Sequence, residues 1–244
     1  VRNTGALIGI GLLLVLTGCG SKYVTPGGGV SLEGISDYSI KERFRTKPAA
    51  PFPAILAVVR VQEAGYTSYS NRGYGEGNFS VVTTRDIETD EHFDKLASMP
   101  QVKDLARVNR LLLPSHLRDA KDLRRAAASL HADMLFLYTL DTSFRIQGQG
   151  GPLSVITLGL APDRRAIVTT TASAALYDVR TGYVYGVAEA THTTDHLANT
   201  WSEVRVVDDA RQETEREAFV RLLDEFSKTW SAVVEQYATE DRSL

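Results

Sequence analysis

Ala54-Ile55-Leu56-Ala57-Val58-Val59-Arg60-Val61 is an apolar run that points to a sheet. It follows Pro53, runs into a polar segment, and carries Ile55, Leu56, Val58, Val59 and Val61 with almost no break. A strand with one wet face alternates apolar and polar residues, whereas a short continuous apolar run fits a strand buried on both faces. Met134 to Leu140 is a second run of this kind, expected beside the first in the centre of a sheet.

Outward from these two runs the elements alternate. Tyr66 to Asn78 is rich in Gly, Ser, Tyr and Asn and reads as a loop or hairpin tip, and Phe79 to Thr84 reads as a strand. Thr89 to Ser98 is predicted to be a short helix opened by Thr89 or Asp90, with Pro100 beyond its end. Val108 to Leu113 fits a strand stopped by Pro114. Ser115 or Asp119 can cap the next helix, in which Leu123, Ala126, Ala127 and Leu130 share a face. Leu153 to Leu160 is apolar but ends at Pro162, and its state stays open. Arg165 to Val179 and Tyr183 to Thr194 flank the turn Arg180-Thr181-Gly182 and read as an antiparallel hairpin. From Asp208 or Asp209 to Ala238, Ala218, Phe219, Leu222, Leu223, Phe226, Trp230, Val233, Val234 and Tyr237 keep helical period. Asp209 with Gln212 is the expected capping box there. The expected class is α/β (α+β): a mixed sheet with a C-terminal antiparallel hairpin, covered by helices that include a long C-terminal one.

Upstream of Ala54 the composition changes. Pro26-Gly27-Gly28-Gly29 and Lys47-Pro48-Ala49-Ala50-Pro51-Phe52-Pro53 read as tether, with an amphipathic turn or two of helix between Ser31 and Arg45. Leu32, Ile35, Tyr38 and Ile40 are its candidate apolar contacts. Further upstream, Arg2 and the apolar stretch Ala6 to Leu16 have the form of a secretory signal, too short for the roughly 20 apolar residues of a bilayer-spanning helix. Leu16-Thr17-Gly18-Cys19 closes it and resembles the lipobox of bacterial lipoproteins. That resemblance implies cleavage after Gly18 and lipid on Cys19, and Gly20 after the cysteine implies sorting to the outer membrane. The expected division is a signal peptide over 1–18, a lipidated cysteine and flexible tether over 19–53, and one periplasmic domain over 54–244. Cys19 is the only cysteine, so the domain is expected to hold together without a disulfide.

Two further likenesses bear on the domain. Leu123 to Asp141, an alanine-rich helix ending in Ala132-Asp133 before an apolar strand, together with the hairpin Asp178-Val179-Arg180-Thr181-Gly182, resembles small periplasmic domains of the Tol translocation protein, the curli secretion lipoprotein and the lipoprotein activators of peptidoglycan synthases. The strand end Tyr138 to Asp141, the segment Leu153 to Pro162 and the Asp178 hairpin together resemble a group of uncharacterised lipoproteins called rhombotarget lipoproteins. The second likeness implies no activity.

The remaining residues exclude more chemistry than they suggest. A formal net charge of -3 gives no basic footprint for nucleic acid. Gly73, Gly75 and Gly77 precede a strand, whereas a phosphate loop must lead into a helix N-terminus. His192 and His196 follow a strand pattern, where residues four apart lie about 13 Å apart, too far to share one ion. Asp86, Glu88 and Asp90 alternate like a calcium loop but lack its glycine and closing glutamate, and read as a solvated strand edge running into a helix. No Gly-x-Ser-x-Gly elbow occurs, and no cofactor is expected. Tyr66, Tyr69, Tyr74 and Phe79 are the candidate interaction surface, the alternative being that these rings pack on the domain's own sheet. The expected role is a non-catalytic binding or scaffolding domain for another envelope protein, held to the membrane by lipid on Cys19. The alternatives are a subunit of an oligomeric envelope or secretion assembly and an envelope hydrolase; the oligomeric state is left open.

Overall fold

A computed structural model describes residues 27–31, 39–148, 164–198 and 204–238. Leu16, Thr17, Gly18, Cys19, the candidate contacts Leu32, Ile35 and Tyr38, and Leu153 to Leu160 lie outside the described residues. The elements are α1 (Ile40–Arg45), β1 (Ala54–Glu63), β2 (Glu76–Gly77), β3 (Phe79–Val82), α2 (Asp90–Ala97), β4 (Val102–Arg107), a 3-10 turn (Arg110–Leu112), β5 (His116–Leu117), α3 (Ala120–Ser129), β6 (Met134–Gly148), β7 (Arg164–Asp178), β8 (Val184–Ala198) and α4 (Val204–Tyr237). The architecture is a mixed 6-stranded sheet, ordered β3-β1-β6-β7-β8 with β4 also on β1, between helices.

The apolar run of β1 sits at the centre. One of its edges pairs in parallel with β6, from Leu56↔Met134 to Arg60↔Tyr138. Its other edge is shared: β4 pairs in parallel with residues 54–58, and β3 pairs antiparallel with residues 60–63. Both faces of β1 are covered, which is why neither parity is polar. On one face Leu56, Val58, Phe136, Tyr138, Ala172, Ala174 and Leu176 meet α4 through Phe219, Leu222, Leu223, Phe226 and Trp230, with Phe93 and Leu96 of α2 beside them. On the other, Ala57, Val59, Val61, Val81, Leu135 and Leu137 meet α3 through Leu123, Ala126 and Ala127. Each large apolar side chain so buried contributes roughly 1.5–3 kcal/mol.

Three expectations need correction. The strand expected at Val108 to Leu113 lies one segment earlier, at Val102–Arg107, and residues 110–112 form the 3-10 turn, opened by Asn109 Oδ1 accepting from the Leu111 N–H at 3.0 Å. Val108 and Leu113 are still buried, so the apolar signal marked core contacts and not the strand. The C-terminal helix starts at Val204, and Asp208 and Asp209 lie inside it. There is therefore no capping box at Asp209; Asp208 accepts from the Arg211 guanidinium at 2.9 Å and from Gln212 at 2.9 Å. Finally, parts of the expected tether are packed on the domain. The Gly28 N–H donates to Glu63 at 3.0 Å, the Val30 N–H to Thr139 Oγ1 at 3.0 Å, and Ala50 and Phe52 pack against the α4-side core. Extended backbone with no bulky side chains can lie along a sheet, and its amide groups find partners there.

The turn after β7 shows why Asp-x-x-Thr-Gly is written as it is. Asp178 is fully buried, and its Oδ1 accepts from the N–H groups of Arg180 and Thr181 at 2.8 and 2.9 Å. Thr181 Oγ1 accepts from the Tyr183 N–H at 3.2 Å, and Gly182 takes φ 75, which a side chain would strain. Asp178 Oδ2 accepts from the Ala49 N–H at 2.6 Å and from the Tyr185 hydroxyl at 2.9 Å. One carboxylate therefore holds both the hairpin and the segment leading into β1.

Candidate interaction face

β6, β7 and β8 are each 15 residues long, longer than α3 can cover. The side chains opposite α4 form cross-strand rows: Leu137–Ala175–Val187, Thr139–Ser173–Glu189, Asp141–Thr171–Thr191, Ser143–Thr169–Thr193 and Arg145–Ile167–Asp195. The hydroxyls pair across the strands, Thr169 with Thr193 and Thr171 with Thr191 at 3.0 Å each, and Ser173 donates to Glu189 at 2.9 Å. β-branched threonine suits a pleated, half-wet surface. At the α3 end the rows open into a groove of about 350 Å³ walled by Val30, Ser31, Leu137, Ala175, Val187 and Glu189, with Val187 60% exposed. β8 is the last strand of the sheet and pairs only with β7 among the described residues. The face thus offers hydroxyls, one apolar groove and a strand edge side by side, the chemistry of a polypeptide contact.

The aromatic residues singled out from the sequence are mostly elsewhere. Tyr66 and Phe79 are buried, and Tyr74 is half-buried against the α3-side core. Tyr69, 58% exposed, is the one of the four on the surface. The glycines between them serve packing: Gly77 takes φ 115, and a Cβ there would collide with the backbone of Leu117, where β2 pairs with β5. His192 lies within β8 on the α4 side, four residues from His196 on the same strand, opposite Thr170 and Ala166. Among the described residues no group of three or more His, Cys, Asp and Glu is placed to hold a metal ion.

A buried charge network, invisible as such in the sequence, lies behind the face. Arg60 of β1 donates to Asp86 Oδ1 at 2.8 Å and contacts Glu88 and Glu215 at 3.4 Å each. Arg211 of α4 contacts Asp208 at 2.9 Å, Asp86 at 3.3 Å and Glu215, and reaches Ser70 of the insert at 3.1 Å. Tyr138 donates to Glu88 Oε1 at 2.5 Å and Thr142 to Glu215 Oε1 at 2.9 Å. Asp86 and Glu88, expected at a solvated edge, are therefore interior counter-ions; only Asp90, paired with Arg85, is exposed. Burial opposes the charge on Arg60, but Glu88, Glu215 and Asp86 outweigh it and raise its pKa far above the usual guanidinium value. Burial, then Glu88, pushes the Tyr138 hydroxyl up, so it stays a donor. A cavity of about 50 Å³ is lined by Arg60 and Glu88 among others, and among the described residues Arg60 Nε and Glu88 Oε2 have no hydrogen-bond partner. That volume suits a water. The network joins β1, the loop after β3, β6 and α4, and its groups are committed to one another, so it reads as a clamp.

No protein-family model matches the chain, and no curated protein matches it. Among solved structures it is similar to a neuraminyllactose-binding hemagglutinin homolog from Helicobacter pylori, at 8% identity and TM-score 0.39 over 81% of this chain and 97% of that one. It is also similar to a DUF330 protein from Xanthomonas campestris, at 12% identity and TM-score 0.34 over 80% and 94%. A third is a PelC dodecamer from Paraburkholderia phytofirmans, at 13% identity and TM-score 0.30 over 73% and 93%. Overlaps this loose carry no argument about binding or assembly.

Proposed function

We propose that this chain is an outer-membrane-anchored lipoprotein, held by lipid on Cys19 at the periplasmic face, whose α+β domain is a non-catalytic binding module for another envelope protein. The anchoring half rests on Leu16-Thr17-Gly18-Cys19 after an apolar signal-like stretch. The observation that carries the binding half is the Thr- and Ser-lined face of β6–β8, flanked by the groove at Val187 and the edge of β8. Incoming polypeptide can add to such an edge through main-chain bonds while side chains settle on the face. The test is a photo-crosslinking amino acid at Thr191, in cells, with Arg221 on the far side of α4 as control. A discrete protein adduct at Thr191 and none at Arg221 is the expected result. Equal adducts at both positions, or none at Thr191, would overturn it.

A second reading, a subunit of an oligomeric envelope assembly, is favoured by the same edge of β8, which has no strand partner among the described residues, since two β8 strands can pair with each other. It requires a multimeric mass in mild detergent, and a monomeric one sinks it.

A further inference from the structure

We infer that α1 is a second membrane contact, docking the face that carries Ile40 and Phe44 on an anionic phospholipid surface. The helix has six residues and buries none of them. Helices this short are not stable alone in water. It is nonetheless well started: Ser39 Oγ accepts from the Glu42 N–H, and Glu42 Oε2 accepts from the Ser39 N–H at 2.8 Å. Among the described residues this capped helix buries no side chain of its own, and burial of an apolar face is what normally holds a helix so short. Ile40 and Phe44, four apart on one side, are 76% and 90% exposed. Around them stand Lys41, Arg43, Arg45 and Lys47, against one carboxylate, Glu42, already engaged by the cap. The excess of positive charge here contrasts with the chain's net -3. Apolar rings on one side and cations beside them are the composition of an interfacial helix, and each Lys or Arg held at an anionic surface raises partitioning about fivefold.

The inference rests on the anchored reading for where α1 meets lipid. Because Gly28 and Val30 are bonded to Glu63 and Thr139, the chain from Cys19 to Gly27 spans at most about 28 Å, even fully extended. The domain surface is thus kept within reach of the bilayer. Lipid on Cys19 by itself leaves the domain free to turn; α1 would set which side faces the membrane.

The test uses the lipidated protein carrying Phe44→Cys, labelled with an environment-sensitive nitrobenzoxadiazole dye and reconstituted in vesicles. Cys19 is the only native cysteine, so a lipidated chain takes one dye and an unlipidated chain two, which separates failure of the anchored reading from failure of this one. In phosphatidylcholine vesicles containing about one-third phosphatidylglycerol, the emission is expected to shift to the blue and to be quenched by spin-labelled lipid. Pure phosphatidylcholine should leave it water-like, as should Lys41→Glu with Arg45→Glu in the mixed vesicles. A water-like signal in the mixed vesicles overturns the inference. So does an equal shift in both vesicle types, or a shift without lipid, which would place α1 on protein.

Discussion

Arg60 shows how one residue can control the interior. It interrupts the most apolar strand, yet its partners Asp86, Glu88 and Glu215 lie 26, 28 and 155 residues away, so nothing local announces them. A buried ion pair adds little net stability over a well-packed apolar one, but removing one member leaves charges stranded. Arg60→Met should therefore lower unfolding free energy by about 3–5 kcal/mol, read from a urea midpoint at unchanged slope. His92 offers a pH test. Its Nδ1 accepts from the Thr89 N–H at 3.2 Å and completes the capping box of α2, and burial holds its pKa below the ordinary 6.5. The unfolded chain then takes up the proton first as pH falls, so this contribution is full above 6.5 and is lost below it. An imidazole titration followed by NMR should show a midpoint under 6.5, and His92→Gln should flatten the pH dependence in that window.

At the scale of elements, the long C-terminal helix was legible because its apolar residues keep a strict period, and the hairpin because its turn residues are specific. The start of α4 was not legible: Asp208 looks like a cap, and only its approach to Arg211 and Gln212 shows it inside the helix. β4 was missed because its sequence is largely polar and partly exposed; pairing with β1 makes it a strand, and its own side chains do not. Close approach of α4 to β8 depends on Gly186, where an added Cβ would lie 2.6 Å from Thr229 Cγ2. Gly186→Ala should cost about 1–3 kcal/mol by overpacking. Thr229→Ser, which removes that methyl, should recover most of the loss in a double-mutant cycle of thermal melts.

At the scale of the molecule, Asp178 decides how the segment leading into β1 is held, and the proposed anchor would decide how the domain is presented. Asp178→Ala removes the acceptor of the Ala49 N–H and the Tyr185 hydroxyl, and should release residues 46–53, seen as faster amide exchange and as cleavage after Ala49 by elastase. If the proposed anchoring holds, Cys19→Ser should abolish incorporation of labelled palmitate into the protein. The candidate face was only half legible: β-rich threonine runs indicate strands, but which rows stay uncovered depends on where α3 ends, and the aromatic insert expected to be a surface is largely interior. The class of fold, the central strands, the long helix and the hairpin turn were readable along the chain, because they follow from local periodicity and turn chemistry. The partners of Arg60 and Arg211, the strand at Val102–Arg107, the seating of Gly28 on Glu63 and Val30 on Thr139, and the exposed face came from the fold alone, because each depends on residues that packing brings together and that leave no local signal in the chain.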